Sequence, residues 1–401
     1  MRNVLVYRSL LLPYSEVFIR DQAQACRSWR PILVGRQKLD EVPLEPVAVR
    51  ILGPRPTAVR DRIAVKLRNA LGHPEGIALL RRDIPSLLHA HFGPDAIEAA
   101  VIASALGIPM IVTLHGFDIM TDRRWWEDGR SGPSMRNYPA ALLRLASQSN
   151  VHFVAVSEAV RHAALEFGIP SGKISVHYIG IDPDAFRPGP TPITQRSRRI
   201  LFVGRLVEKK GCELMLRAMP KVLHKVPDAQ AVIIGDGPLR LNLELLARSC
   251  GGRVQFLGAQ NHDRVKEELA RARVFCLPSI RASNGDAEGF GLVLLESQAC
   301  GVPVVSSALG GSDEGLLDGK TGFRVPENNV ETLANGLAEI LLNDQLATQM
   351  AAEGPRFVRA RFDLARCTSE LEWLYDCMAV PAKTKSGADA FTFSRSKQHV
   401  Q

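Results

Sequence analysis

Short apolar, strand-like runs alternate with helical stretches through most of the chain, and the alternation occurs twice. The runs fall near residues 4–7, 32–34, 87–90, 110–114 and 153–156, then near 200–203, 231–234, 254–257, 274–277 and 302–305. Helical stretches such as 94–106 and 157–167 separate them. Strands that alternate with helices indicate parallel sheets, so an α/β protein with two such sheets is expected. Between the two sets lies Asp182-Pro183-Asp184-Ala185-Phe186-Arg187-Pro188-Gly189-Pro190-Thr191-Pro192, whose prolines mark a linker. The expected division is a first domain at 1–181, a linker at 182–198, a second domain at 199–360, a crossing helix at 361–380 and a disordered tail at 381–401. A length of 401 residues suits two domains.

The second half carries two carboxylates around a Gly-x-Gly turn: Ala287-Glu288-Gly289-Phe290-Gly291-Leu292-Val293-Leu294-Leu295-Glu296. Glycines there leave the backbone free to approach a ligand. The apolar run reads as a buried helix starting near Gly291 and stopping at Cys300-Gly301-Val302-Pro303. The free N–H groups of a helix N-terminus attract phosphate. At ~1.5 Å per helical residue, the glutamates would stand on the order of 12 Å apart along the axis. Carboxylate, anion site, carboxylate is the order that sugar hydroxyls, diphosphate and ribose hydroxyls of a nucleotide-sugar require. Two solvated glutamates at the ends of a buried helix would read the same way. Upstream, the run ending at 203 leads into Gly204-Arg205-Leu206-Val207-Glu208-Lys209-Lys210-Gly211. Arg205 and Lys210 thus follow a strand's carboxyl end, where parallel sheets bind ligands. They suit the charge that develops on a diphosphate leaving group. A solvated basic turn is the plainer alternative.

Together these segments resemble the retaining glycosyltransferases of family 4. The family's glutamate pair corresponds to Glu288 and Glu296, and its Gly-Arg-Leu…Lys-Gly segment to Gly204-Arg205-Leu206 and Lys210-Gly211. Gly235-Asp236-Gly237-Pro238 resembles its Gly-x-Gly-Pro loop, and Thr113-Leu114-His115-Gly116-Phe117-Asp118 its amino-terminal histidine motif. Leu309-Gly310-Gly311-Ser312-Asp313-Glu314, followed by Thr321-Gly322, is similar to a further family segment. The resemblance implies the GT-B fold: two Rossmann-like parallel-sheet domains facing a central cleft, with a C-terminal helix crossing back to the first. It implies that His115, Glu288, Arg205 and Lys210 serve catalysis. His115 would lie over the donor sugar, Glu288 would contact its hydroxyls, and Arg205 and Lys210 would grip the diphosphate. Glu296 would hold the ribose, with Gly289, Phe290, Gly291, Gly235, Gly237 and Asp118 lining the donor. A helix N-cap is the alternative for Asp118. No metal or cofactor is implied, because the two cations can take a metal's place.

Pro13-Tyr14-Ser15-Glu16-Val17-Phe18 and His89-Ala90-His91-Phe92-Gly93 resemble the exopolysaccharide and colanic-acid type within the family. One departure stands out. Many members have a Gly-Gly loop after the first strand; here Tyr7-Arg8-Ser9-Leu10-Leu11-Leu12-Pro13 takes its place, and Ser15 and Glu16 could form a capped helix start. The implied partners are a UDP- or GDP-linked donor and a glycan or polyprenyl-diphosphate-linked acceptor. Seven scattered cysteines without a Cys-x-x-Cys pair favour reduced thiols and a cytoplasmic setting, peripheral to the inner membrane face. A net charge of +8 concentrates in the first half, where 60–71 reads as a basic amphipathic helix for an anionic membrane or as a solvated surface helix. Arg123-Arg124-Trp125-Trp126 would touch a lipid-linked acceptor or pack as an ordinary cleft loop. Sparse aromatics and the lack of a known module argue against nucleic acid. Two other functions remain open: a nucleotide-sugar epimerase of the same architecture, and a non-catalytic assembly protein that only binds nucleotide-sugar.

Overall fold

The computed structural model describes residues 1–54, 60, 64, 65, 67, 68, 72–307 and 309–379. The basic helix expected at 60–71 lies mostly outside the described residues, and the tail at 381–401 wholly outside them. The first half contributes β1 (Arg2–Tyr7), β2 (Leu10–Leu11), β3 (Trp29–Gly35), β4 (Gln37–Lys38), β5 (Ala48–Ile51), β6 (Pro85–His91), β7 (Met110–Leu114), β8 (Val151–Ala155) and β9 (Ile174–Val176). Apart from β2 and β4, which pair with each other, these form a parallel sheet in the order β5-β3-β1-β6-β7-β8-β9. The second half contributes β10 (Arg199–Val203), β11 (Gln230–Ile234), β12 (Val254–Gly258), β13 (Val274–Leu277), β14 (Val304–Ser307) and β15 (Gly322–Val325), also parallel, in the order β12-β11-β10-β13-β14-β15.

Both orders obey one rule. The chain winds outward from a central strand, returns, and winds out the other way. A crevice therefore opens beyond the carboxyl ends of β1 and β6 in one sheet and of β10 and β13 in the other. Helices cover both faces, so the central strands are apolar throughout rather than alternating. Val274, Phe275, Cys276 and Leu277 are all fully buried.

The expected linker is not a free tether. The Arg196 guanidinium donates to the carbonyls of Leu269 and Ala272 at 3.3 and 3.0 Å, and that of Arg273 donates to the Ile193 carbonyl at 3.3 Å. These bonds fasten 193–196 to the second half. The chain later returns beside the outgoing segment: Ile181 N–H donates to Phe362 O, and Leu364 N–H to Ile181 O, both at 2.9 Å. Helix Leu364–Ala379 then packs on the first half. Its Glu372 carboxylate accepts the backbone N–H groups of Arg27, Ser28 and Trp29 at 2.7–3.0 Å. Its Leu371, Leu374 and Tyr375 share a core with Trp29, Leu33 and Ile19.

Two local alternatives are decided. Ser15 and Glu16 make no helix cap; Glu16 precedes helix Val17–Ala25 but directs its carboxylate to Arg8. Trp126 is buried against Phe117 and Tyr138, which makes it a core residue rather than an interface residue. Among the described residues, no helix is long and apolar enough to cross a membrane.

Candidate active site

The second half builds its share of the site at the β10/β13 switch. Beyond β10 the chain turns through Gly204 and Arg205 into the short 3-10 helix Glu208–Lys210. Leu206 N–H donates to Asp236 O at 2.8 Å, which ties this turn to the Gly235–Gly237 loop. A Cβ on Gly235 would run into the Gly204 carbonyl oxygen, so only glycine allows the two turns to stack. Lys210 Nζ lies 2.5 Å from Glu288 Oε2, and Lys209 Nζ lies 3.0 Å from Asp286 Oδ2. Burial works to raise the Glu288 pKa, but Lys210, Lys209 and Arg205 outweigh it and hold the group below the usual glutamate value. Glu288 is therefore a buried carboxylate at neutral pH. Arg205 is exposed, and among the described residues no group bonds its side chain.

Helix Leu292–Ala299 begins immediately after Gly291 and carries Glu296 one turn in. Glu296 behaves differently from Glu288. Burial and the charge of Asp21 push its pKa up to about 7, with Lys266 pulling the other way. Asp21 belongs to the first half, so this carboxyl senses both halves.

The first half meets that surface with the ends of β1, β6 and β7. His115 follows β7 and packs on Phe92 and Phe18, ring centroids 4.3 and 5.2 Å away. Burial, with help from His89 and Arg8, lowers its pKa to about 3, so the ring is neutral. Arg8, in the stretch that replaces a glycine loop, is held by Glu16 at 2.7 and 2.8 Å and by Asp95 at 2.6 Å, over the face of Phe92. The halves touch at Gly289, where a Cβ would overlap the His115 carbonyl oxygen. Ser157 Oγ donates to Gly289 O at 2.7 Å, and Glu314 accepts Glu158 and Ala159 N–H at 3.1 Å, which joins the second half to the start of helix Glu158–Phe167.

His115, Arg205, Lys210, Gly235, Glu288, Phe290, Gly291 and Glu296 all line one cleft of about 1450 Å³ between the halves. Gly237, Gly289 and Asp118 are not among the residues that line it. Asp118 is fully buried, and its carboxylate accepts N–H groups from Gly93, His115 and Gly116 at 2.9–3.3 Å. It shapes the His115 loop and leaves no lone pair aimed at a ligand. The cleft also takes in Arg8, Glu16, Lys209 and Lys266, which sequence reading did not select. The missing Gly-Gly loop was the signal for Arg8; Lys266, on an ordinary charged helix, gave none. Among the described residues no cluster of His, Cys, Asp and Glu is placed to hold a metal ion.

Two family models match the chain. One, described as glycosyltransferase family 4, matches residues 16–185; the other, described as glycosyl transferases group 1, matches residues 187–357. The sequence is 32% identical over 296 residues to a GDP-mannose-dependent alpha-(1-6)-phosphatidylinositol monomannoside mannosyltransferase of Mycobacterium tuberculosis, covering 71% of this chain and 74% of that protein. It is 31% identical over 265 residues to a colanic acid biosynthesis glycosyltransferase of Escherichia coli, covering 64% and 62%. Among solved structures, Anabaena HepE in complex with UDP and glucose aligns with a TM-score of 0.75 at 19% identity, over 94% of this chain and 100% of that one. WaaG, a glycosyltransferase involved in lipopolysaccharide biosynthesis, aligns with a TM-score of 0.68 at 17% identity, over 94% and 99%. These likenesses establish the architecture as GT-B.

Proposed function

Given that the chain belongs to glycosyltransferase family 4 and is a hexosyltransferase, we propose that it takes its sugar from a UDP- or GDP-linked donor. The acceptor is a glycan or a polyprenyl-diphosphate-linked sugar of exopolysaccharide or other surface-polysaccharide assembly, and the anomeric configuration is retained. One observation carries this reading: a carboxylate with its cations at one sheet's switch point faces a neutral histidine at the end of the other sheet, across a single cleft.

The diphosphate sits at the N-terminus of helix Leu292–Ala299, whose first turn carries no side-chain cap. Arg205 and Lys210 neutralise it as the bond from sugar C1 to phosphate oxygen breaks. Glu288 accepts hydroxyl hydrogen bonds from the sugar and Glu296 from the ribose, while His115 covers the sugar from the first half. The acceptor oxygen bonds to C1 on the face the phosphate leaves, and its proton passes to the departing phosphate oxygen. Closure of the halves keeps water from taking the acceptor's place. The test is a panel of UDP- and GDP-sugars, GDP-mannose included, incubated with membrane extract. Product mass and anomeric signal identify donor and stereochemistry. Turnover of donor without any transferred sugar would overturn the proposal.

A further inference from the structure

His91 belongs to a motif that the mechanism so far leaves unused. It ends β6, is 1% exposed, and places Nδ1 3.0 Å from His115 Nε2. Its ring rests on that of His89, centroids 4.4 Å apart, and His89 is pinned on both sides: Nδ1 to Tyr375 Oη at 2.6 Å and Nε2 to Thr113 Oγ1 at 2.7 Å. His89 and His91, two residues apart in a strand, share one face of the sheet. Tyr375 lies on the returning helix Leu364–Ala379, so the stack runs from that helix to the cleft wall.

From this geometry we infer that His91 is a positioning residue that fixes the ring orientation and tautomer of His115. A bond between two imidazole nitrogens holds one proton. If both rings are neutral, the ring that donates it keeps a bare nitrogen at its other position, and the ring that accepts it carries N–H there. Nε2 of His115 is committed to His91, so Nδ1 is the nitrogen available to a ligand. Its role as donor or acceptor is set by which ring carries the shared proton. The surroundings keep the pair neutral. The charged groups facing it are Arg8 at the end of β1, with Glu16 and Asp95 bound to that guanidinium. From the other elements come the apolar rings of Phe18 and Phe92, the neutral His89, and the Gly289 backbone. Asp118 reaches only the backbone N–H of His115.

The inference rests on the proposed role of His115 over the donor sugar, but its test does not. Asn at 91 can set an amide group near the Nδ1 position; Leu has nearly the same shape and no polar atom. Full-length protein labelled with 15N-histidine is titrated by NMR as wild type, His91→Asn and His91→Leu. Wild type and the Asn variant should show a single neutral tautomer of His115 from pH 6 to 8. The Leu variant should show mixed tautomers, with the ring still neutral because burial, His89 and Arg8 are unchanged. Its kcat should then fall at every pH in that range, while the Asn variant keeps the wild-type value. A Leu variant with one tautomer and wild-type turnover, or an Asn variant that behaves like Leu, overturns the inference. If the Leu variant fails to fold, His91→Gln, whose amide reaches past the Nδ1 position, supplies the same contrast. Unchanged turnover of His115→Ala would instead refute the donor-sugar role, and the NMR result on His91 would still stand or fall by itself.

Discussion

Lys210 Nζ sits 2.5 Å from Glu288 Oε2 although the two residues lie 78 positions apart and on different loops of the second sheet. Each side chain is mostly shielded from water, with exposures of 15% and 8%. The pair is therefore a property of the β10/β13 switch, and its two members have separate tasks once a donor enters.

We predict that Lys210→Ala lowers kcat by about 10²–10³-fold, the scale found when one preorganised charge-stabilising group is removed. Lys209 and Arg205 still face Glu288, so the fold should survive. Initial rates and thermal melts of the same preparation check both parts. Near-normal transfer would remove Lys210 from the diphosphate site. Glu288→Ala should abolish transfer while keeping part of the nucleotide affinity.

Glu296 gives a pH prediction with a definite sign. Its folded pKa of about 7 exceeds the ordinary 4.5, so the native state holds this proton more tightly than the unfolded chain. The stability it lends is full at low pH and is lost as pH rises toward 7. Glu296→Gln does not titrate. We expect the variant and wild type to melt alike in acid and the variant to melt higher at pH ~8. Donor affinity should move the opposite way, strengthening in wild type as the carboxylate forms and staying flat in the variant. Calorimetric titration across that range decides it; parallel curves would rule out a ribose-holding carboxylate.

Gly289→Ala tests the contact between halves. The new methyl would meet the His115 carbonyl oxygen, so the halves must part. A misplacement of about 1 Å can cost on the order of 10²-fold in rate. We predict a loss of that size in kcat with nucleotide affinity largely kept, because the proposed nucleotide contacts lie in the second half. Equal losses in both quantities would mean that the substitution damages the second half itself.

Glu372→Ala should destabilise the protein by at least about 2 kcal/mol, since three backbone N–H groups at 27–29 lose their acceptor at once. Urea denaturation measures this directly. Transfer at saturating substrate and low temperature should change little, because Glu372 does not line the cleft. A wild-type denaturation curve would show that water satisfies those N–H groups.

The sequence pattern carried most of the strands and the two-sheet plan, because a strand buried on both faces is apolar at every position and stands out from the helices around it. Glu288, Arg205 and Lys210 were legible because each sits on a turn with a local signature at a strand end. For Arg8 the missing glycine loop marked the place but not the role: its partners lie 8 and 87 residues away, and nothing local says that a guanidinium there is clamped. Asp118 misled for the converse reason. A carboxylate beside a histidine looks like a ligand group until the fold shows that backbone N–H groups have used its oxygens. Trp126 was left open between acceptor contact and ordinary packing, because its partner Tyr138 comes from a later helix.

Ile181 bonds to both Phe362 and Leu364, so the second body enters and leaves the first at one point. Topologically it is a cassette spliced into a discontinuous host, with its two ends in contact. Such an insert can be exchanged for a homologous one by cutting at that junction alone, leaving the host's sheet and its last helix intact. Variation in the insert can then proceed without redesign of the host.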